Sequence, residues 1–333
     1  MLASFALLPV LSFLVLLRTL DSYKLIPWKR IATSLGIGLS VAAVAYLGNR
    51  LLYAQLGIDR SLYTRYAAPL IEELLKLVPI AFLISRARVG FLVDAAIHGF
   101  AIGAGFAFLE NILYLVSLPD AGPWLWIVRG FGTAILHGST TAAAAVLTKE
   151  LSDQHDRSVA LAALPGLVLA VIVHSLYNHL LLPDVLNAAI VLFASPLFLL
   201  AVFSYSERAT RAWLGSGFDT EAQLLEMVMS SELPQSPVGR YLHSLRHAMA
   251  GPVLGDILCL LRIQLELSIR GKGILLAREA GLELDVGEDT RAKLEELRFL
   301  EGSVGAAGRM ALHPVLRMDR RELWQIYNLE GGS

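Results

Sequence analysis

The chain has 333 residues, of which 55% are hydrophobic and 17% charged, with a formal net charge of -1 and a mean hydropathy of +0.58. Soluble domains carry about a quarter charged residues, so this composition excludes an ordinary soluble protein and indicates a membrane protein. The single cysteine, Cys259, excludes an intrachain disulfide framework and a cysteine-based zinc cluster. The sequence has no basic patch interleaved with aromatic residues, so nothing in it indicates nucleic-acid binding.

The charged residues are concentrated towards the C-terminus. Residues 207–333 contain 33 of the 57 charged residues, and residues 1–206 contain the other 24. We therefore predict a membrane-embedded domain at 1–206 and a soluble helical cytoplasmic domain at 207–333. The apolar segment 2–17 has no basic stretch before it and no small-residue cleavage site after it, so we predict that it is retained as a first span.

Seven segments approach the length of about 20 apolar residues that a membrane span requires. They are residues 2–17, 31–49, 66–84, 90–118, 123–148, 159–182 and 185–205. The predicted fold is therefore all-α: a polytopic membrane helix bundle of about seven spans, followed by a helical cytoplasmic domain. In that domain, the spacing of capping residues predicts helix starts at Ser236-Pro237, at Thr220 and at Asp319.

The basic residues of the loops predict the orientation. The loops after spans one, three and five and the start of the tail lie on one side of the membrane and contain ten Lys and Arg residues. The connections on the other side contain three. Short cytoplasmic loops are enriched in Lys and Arg, so the N-terminus is predicted to face outward and the C-terminal domain to lie in the cytoplasm.

Ionisable side chains occur inside four of the predicted spans, where they are costly and usually mark a function or a buried pair. They are Glu72, Glu73, Lys76, Asp94, His98, Glu110, Arg129, His137, His174 and His179. At a rise of about 1.5 Å per residue, Glu72, Glu73, Glu110, Arg129 and His174 lie roughly 8–12 Å from the outer ends of their helices. The polar groups are therefore predicted to meet in the outer half of the membrane, with His137 deeper.

Helical spacing predicts which of these groups share a face. Glu72 and Lys76 are four residues apart in the orientation that favours an ion pair, and His174 and Asn178 also share a face. Glu72 and Glu73 point about 100° apart, so only one of them can face a ligand directly. The glycines of span four have small-xxx-small spacing, which predicts close helix packing around Gly103.

Two interpretations of the polar residues follow from the sequence. The first is a structural network of ion pairs and hydrogen bonds, which we favour for His98, His179 and Asp94. The second is a reactive site, because carboxylates and imidazoles offer the oxygen and nitrogen ligands that suit zinc. A carboxylate next to such a site can also take a proton from water and return it to a leaving amine.

Four short motifs in these spans resemble those of the PrsW-type intramembrane proteases. Glu72-Glu73-Leu-Leu-Lys76 resembles the EExxK motif, and Phe106-Ala-Phe-Leu-Glu110-Asn111 the FxxxEN motif. His137 resembles the third motif, and His174-Ser-Leu-Tyr-Asn178 the HxxxN motif. The resemblance covers residues 66–182 and extends to the wider superfamily of CAAX-processing and bacteriocin-processing membrane proteases.

The resemblance implies a role for each motif residue. Glu72 and Glu73 would form the acid/base pair with Lys76 as their partner, and Asn178 would donate to the oxyanion. Metal-binding or water-orienting groups would be Glu110, His137 and His174, and Phe106 and Asn111 would support them. Arg129 is not a motif residue; we expect it to support the site as a cation that can pair with one of the glutamates. The cofactor would be a divalent metal, with zinc expected, although the same residues could activate water without a metal.

The implied function is hydrolysis of peptide bonds in single-span or membrane-associated proteins, such as an anti-sigma factor, in a bacterial inner membrane. Membrane lipid is an expected partner, and the tail could bind a cytoplasmic protein. Two alternatives stay open: a proton- or ion-coupled transporter, which usually shows an internal repeat, and a non-catalytic scaffold, which would be expected to lack a motif residue.

Overall fold

The computed structural model describes residues 2–154, 158–179, 181–282, 284, 287–316, 321–322, 324–325 and 329. All regular secondary structure among these residues is helical, which confirms the predicted all-α helical bundle. The chain divides into two compact units, Met1–Glu207 and Arg208–Ser333, which are described separately below.

The helices of the first unit follow one another with short connections. They are α1 (Leu2–Leu20), α2 (Trp28–Leu56), α3 (Arg60–Leu62), α4 (Ala68–Ser85), α5 (Leu92–Ser117), α6 (Pro123–Val128), α7 (Ala134–Gln154), α8 (Val159–Asn178) and α9 (Asp184–Met229), which ends in the second unit. Two π-helical turns, Tyr63–Ala67 and Arg129–Thr133, join α3 to α4 and α6 to α7.

Five helices of the described chain are long and apolar enough to cross a membrane: α1, α2, α5, α8 and α9. Helices α4 and α7 are not among them. The 18 residues of α4 include Glu72, Glu73 and Lys76, and α7 contains His137 with several Ser and Thr residues. Both helices thus carry polar motif residues within their length, and the count of seven spans stays a prediction.

Helix α5 is the central helix of the first unit, and its glycines allow its neighbours to approach closely. A Cβ atom at Gly103 would collide with the backbone carbonyl of His137 on α7, and one at Gly105 with that of Leu35 on α2. Gly99 meets α7 in the same way. The close packing predicted from the small residues of span four is thus confirmed, and it places His137 against α5.

The buried face of α4 determines which of its charged residues point inward. Its buried residues recur at helical spacing: Pro69, Glu73, Lys76, Leu77, Ile80 and Ile84. Glu73 and Lys76 share this face with aliphatic residues that pack against α5, α7 and α8. Glu72 lies at its edge and is only partly buried.

The second unit contains the end of α9 together with α10 (Pro237–Ser244), α11 (Gly251–Glu279) and α12 (Glu288–Leu312). Aliphatic residues of α11 and α12 form one core, as their helical spacing predicted. The predicted start at Ser236 is confirmed, because its hydroxyl accepts the N–H of Gly239 at 2.9 Å. The start at Thr220 is wrong: the residue lies inside α9, and its hydroxyl donates to the Ser216 carbonyl. Asp319 lies outside the described residues.

Candidate active site

Glu73 is the centre of a buried polar network that joins α4 to α8. Its Oε1 accepts hydrogen bonds from Lys76 Nζ at 2.5 Å and from His174 Nδ1 at 2.8 Å. Glu73 is 2% exposed, Lys76 is 0% exposed and His174 is 4% exposed. A charge in such an interior is strongly unfavourable unless it is paired, so the ammonium and the imidazole N–H are what allow an ionised carboxylate here.

His137, on α7, contacts α4 and α5 through its two ring nitrogens. Nδ1 lies 3.0 Å from Lys76 Nζ, and Nε2 lies 3.2 Å from Glu110 Oε2. An ammonium group only donates, so Nδ1 accepts, and the proton of a neutral ring is then on Nε2. The rings of His137 and His174 pack edge to face with centroids 4.8 Å apart, so the two side chains are in direct contact.

Glu72 lies beside this network and points away from Lys76. Its Oε1 accepts a hydrogen bond from Asn49 Nδ2 at 3.1 Å, and its Oε2 lies 4.0 Å from His174 Nε2. The predicted contact between Glu72 and Lys76 is replaced by the pair of Lys76 with Glu73, because both of these lie on the buried face of α4. In the described part of the chain, Glu72 has no ion pair with Lys or Arg.

Arg129, in the π-helical turn before α7, connects Glu110 to Asn111. Its Nη2 lies 3.1 Å from Glu110 Oε2, and its Nε donates to Asn111 Oδ1 at 2.9 Å. Asn111 Nδ2 donates in turn to the carbonyl of Ala6 on α1 at 2.8 Å. The guanidinium carbon lies 3.7 Å from the ring centroid of Tyr114. Asn111 thus acts on Glu110 through Arg129.

Phe106 forms an apolar wall of the network on the α5 side. Its ring centroid lies 4.7 Å from Lys76 Nζ and 5.1 Å from the centroid of the His137 ring. The side chain is buried. An aromatic face attracts a cation, so Phe106 makes a cation–π contact with the buried lysine.

The end of α8 contacts the π-helical turn that precedes α4. Asn178 Nδ2 donates to the Thr64 carbonyl at 3.0 Å, and Ser175 Oγ donates to the Arg65 carbonyl at 2.6 Å. Side-chain donors of α8 thus satisfy backbone acceptors of the turn and hold it in place. One of the two amide protons of Asn178 is used for this contact.

The polar residues interpreted as structural have hydrogen-bond partners outside the Glu73 network. His98 Nδ1 lies 2.7 Å from Ser34 Oγ, and His179 Nε2 lies 3.0 Å from Tyr66 Oη. Asp94 accepts backbone N–H groups at the start of α5. These hydrogen bonds explain why the three side chains are polar, and no catalytic role is needed for them.

Comparison with known proteins identifies the family. The PrsW family of intramembrane metalloproteases matches residues 26–204, which is more than half of the chain. The chain belongs to this family. The match confirms the resemblance carried by the four motifs, and it makes this chain an integral membrane protein of a protease family. Comparisons with curated proteins and with solved structures give no match.

The side chains of this PrsW-family protein provide a donor set that could hold a metal ion. Ligand atoms of Glu72, His137 and His174 all lie within 4.8 Å of one another. Two histidines and a glutamate are a known ligand set of zinc hydrolases. Glu72, instead of the expected Glu110, joins the two histidines here, because Glu110 is paired with Arg129.

The two histidines differ in how readily they could act as ligands. Glu73 accepts a hydrogen bond from His174 Nδ1–H, so the lone pair of Nε2 is free to bind a metal. Zinc-binding histidines commonly donate their other N–H to a carboxylate in this way. His137 Nδ1 accepts from Lys76, whereas Nε2 lies 3.2 Å from Glu110 Oε2 and has no hydrogen-bond partner among the described residues. His137 would therefore have to release one of these contacts to bind a metal.

Two residues of the site lie outside the four motifs and were missed by sequence reasoning. Asn49, on α2, donates to Glu72, and Tyr63 donates to Asn49 Oδ1 at 2.9 Å. The one signal in the sequence was a lone amide near the end of an apolar segment. Its importance comes from contact with Glu72, 23 residues away in the chain.

Proposed function

We propose that this PrsW-family protein is an intramembrane endopeptidase in which Glu72 activates water and Glu73 with Lys76 positions the histidines. The observation that carries this proposal is the division between the two glutamates. Glu73 is fixed by Lys76 and His174, whereas Glu72 keeps one oxygen, Oε2, near His174 Nε2 and away from any lysine. A proton-transfer group needs such a free oxygen.

In the proposed reaction, Glu72 takes a proton from the attacking water and returns it to the leaving amine. His174, held by Glu73, presents Nε2 towards the same space. The carbonyl oxygen that becomes negative requires donors, and we assign the second amide proton of Asn178 to this role because its first is donated to Thr64. A divalent metal, for which we propose zinc, would be held by His137 and His174 beside Glu72, where it would polarise the carbonyl and lower the pKa of the water that Glu72 deprotonates.

The proposed substrates are single-span or membrane-associated proteins of a bacterial inner membrane, including regulators such as an anti-sigma factor. The site residues come from predicted spans, so a substrate reaches them from the lipid or from the outer surface. The soluble unit at 208–333 could bind a cytoplasmic partner that controls cleavage.

We expect the protein, co-expressed with a panel of tagged single-span proteins, to cleave at least one of them, and purified protein to contain about one zinc ion per chain. The His174→Ala variant should lower both the extent of cleavage and the zinc content, because it removes Nε2, the imidazole nitrogen that is free to bind a metal. His179→Ala is the matched control, since that ring contacts Tyr66 instead of the cluster. Mass spectrometry of the products and elemental analysis provide the two readouts. Unchanged cleavage in His174→Ala would contradict the proposal, and proton flux in liposomes without cleavage would favour a transporter.

The proposed orientation makes a separate prediction. A reporter fused after Glu207 is expected to be cytoplasmic, and one inserted at residues 182–184 external, because Lys and Arg are ten to three in favour of that arrangement. Paired phosphatase and fluorescent-protein fusions at both positions measure this. The reverse pattern would place the site in the inner half of the membrane.

A further inference from the structure

We propose that Asn49 and Tyr63, which lie outside the four motifs, are positioning residues that orient the Glu72 carboxylate for catalysis. The proposal rests on the proposed function of Glu72 as the group that activates water. It assigns to α2 and to the turn before α4 a part in the reaction that neither the motifs nor the family match names.

The geometry joins three polar side chains in a row. Tyr63 Oη donates to Asn49 Oδ1 at 2.9 Å, and Asn49 Nδ2 donates to Glu72 Oε1 at 3.1 Å. Tyr63 Oη also lies 3.1 Å from the backbone carbonyl of Asn49. The single hydroxyl proton is therefore shared between the side-chain and main-chain oxygens of Asn49.

The hydrogen bonds determine which way the Asn49 amide is turned. Its oxygen faces a hydroxyl and its NH2 group faces a carboxylate, which only accepts when ionised. The opposite orientation would place the amide oxygen against Glu72 Oε1, two acceptors in contact. The ionised Glu72 carboxylate thus selects the orientation in which Asn49 donates to it, and the Tyr63 hydroxyl donates to the amide oxygen on the other side.

Tyr63 is itself firmly placed. It is 4% exposed, and its ring packs edge to face on Tyr53 of α2 with centroids 5.3 Å apart. It begins the π-helical turn whose next two carbonyls, of Thr64 and Arg65, are bound by side chains of α8. The turn is therefore held on one side by α2 and on the other by α8.

The consequence for Glu72 is a carboxylate with two different oxygens. Oε1 is occupied by Asn49, and Oε2 remains near His174 Nε2 at 4.0 Å. A carboxylate bound at one oxygen cannot rotate freely, so Oε2 keeps its direction without a cation that would compete for it. Outer hydrogen bonds of this kind contribute about 10- to 100-fold to activity or metal affinity.

The decisive experiment compares Asn49→Leu with Asn49→Asp. Aspartate keeps the shape of asparagine and the acceptor for Tyr63, but it replaces the donor to Glu72 with another acceptor. Both variants should lower kcat about 10- to 100-fold and leave KM within about 3-fold, measured on a quenched peptide built from the cleaved single-span substrate. Zinc affinity, measured by chelator competition, should fall with them. If Asn49 only supported the fold through Tyr63, Asn49→Asp would retain near wild-type kcat.

Matched controls separate positioning from folding. Asn187→Leu and Asn187→Asp change an asparagine of α9 that donates to the Leu182 carbonyl, and they should leave kcat unchanged. Tyr63→Phe should lower kcat by a smaller factor than Asn49→Leu, whereas Tyr53→Phe should not lower it. Melting temperatures of all variants show whether a loss of rate comes from unfolding.

The Glu72→Gln variant separates a failure of the positioning role of Asn49 from a failure of the proposed function of Glu72. If Glu72→Gln is inactive and both Asn49 variants keep wild-type kcat, the positioning role is wrong and the proposed function stands. If Glu72→Gln retains wild-type kcat, the proposed function of Glu72 falls and the positioning role falls with it. Loss of kcat in Glu72→Gln and in both Asn49 variants, with Asn187 variants unchanged, supports both.

Discussion

Replacing Glu72 with glutamine is expected to lower the rate of cleavage by about 100-fold or more while the protein remains folded. Glutamine keeps the shape of the side chain, and its amide oxygen can still accept the hydrogen bond of Asn49. What is lost is the oxygen near His174, because an NH2 group neither takes a proton from water nor binds a metal. The measurement is kcat on the quenched peptide, alongside the melting temperature.

The matched control for this substitution is Glu150→Gln. Glu150 lies on α7 of the same unit, and its carboxylate accepts from Gln154 on the following turn. Its replacement should leave kcat within about 2-fold, since surface substitutions have small effects. Wild-type kcat in Glu72→Gln would show that the oxygen near His174 takes no part in the reaction.

The Lys76→Met variant is expected to lose about 3–5 kcal/mol of the free energy of unfolding. Lys76 has no exposed surface, and Glu73 beside it has almost none. Methionine has a similar volume but no charge, so Glu73 would stay buried with only the His174 N–H as a partner. Unfolding in detergent followed by circular dichroism measures the loss. The exposed Lys29→Met is the control, with an expected change within about 0.5 kcal/mol.

A second substitution tests whether the cost comes from the unpaired carboxylate. The double variant Lys76→Met with Glu73→Leu should recover much of the stability, because a buried ion pair replaced by apolar residues is often neutral. It should remain inactive, since His174 Nδ1 loses the acceptor that orients the ring. A single Lys76→Met variant with wild-type stability would show that the pair contributes little to folding.

Much of the architecture of the first unit could be predicted from one-dimensional patterns. The helical fold follows from long apolar segments, since a backbone in lipid must form its hydrogen bonds internally. The small residues of α5 predicted close helix packing, and the glycines meet α2 and α7 there. The four motifs pointed to the family that the match confirms. These features are local in the sequence, so spacing and composition are enough to reveal them.

The partners of each charged group could not be predicted, because they depend on the rotation of one helix against another. Spacing favoured a pair of Lys76 with Glu72, but Lys76 pairs with Glu73 because both lie on the buried face of α4. Glu110 was expected to be a metal ligand together with the histidines. The π-helical turn before α7 places Arg129 beside it, and the guanidinium forms an ion pair with the Glu110 carboxylate. Adjacent positions on a helix differ by about 100°, so the rotation of α4 about its axis decides which of the two glutamates faces inward.

The contact between Asn49 and Glu72 shows the same limit most clearly. Asn49 lies on α2, and its one signal in the sequence is a lone amide near the end of an apolar segment, which does not identify a site. It reaches Glu72 only because the buried Tyr63 holds it and the turn before α4 returns the chain to α2. A hydrogen bond requires placement within a few tenths of an ångström. Only packing in three dimensions provides that precision, so the different hydrogen-bond partners of Glu72 and Glu73 could not be predicted from the sequence.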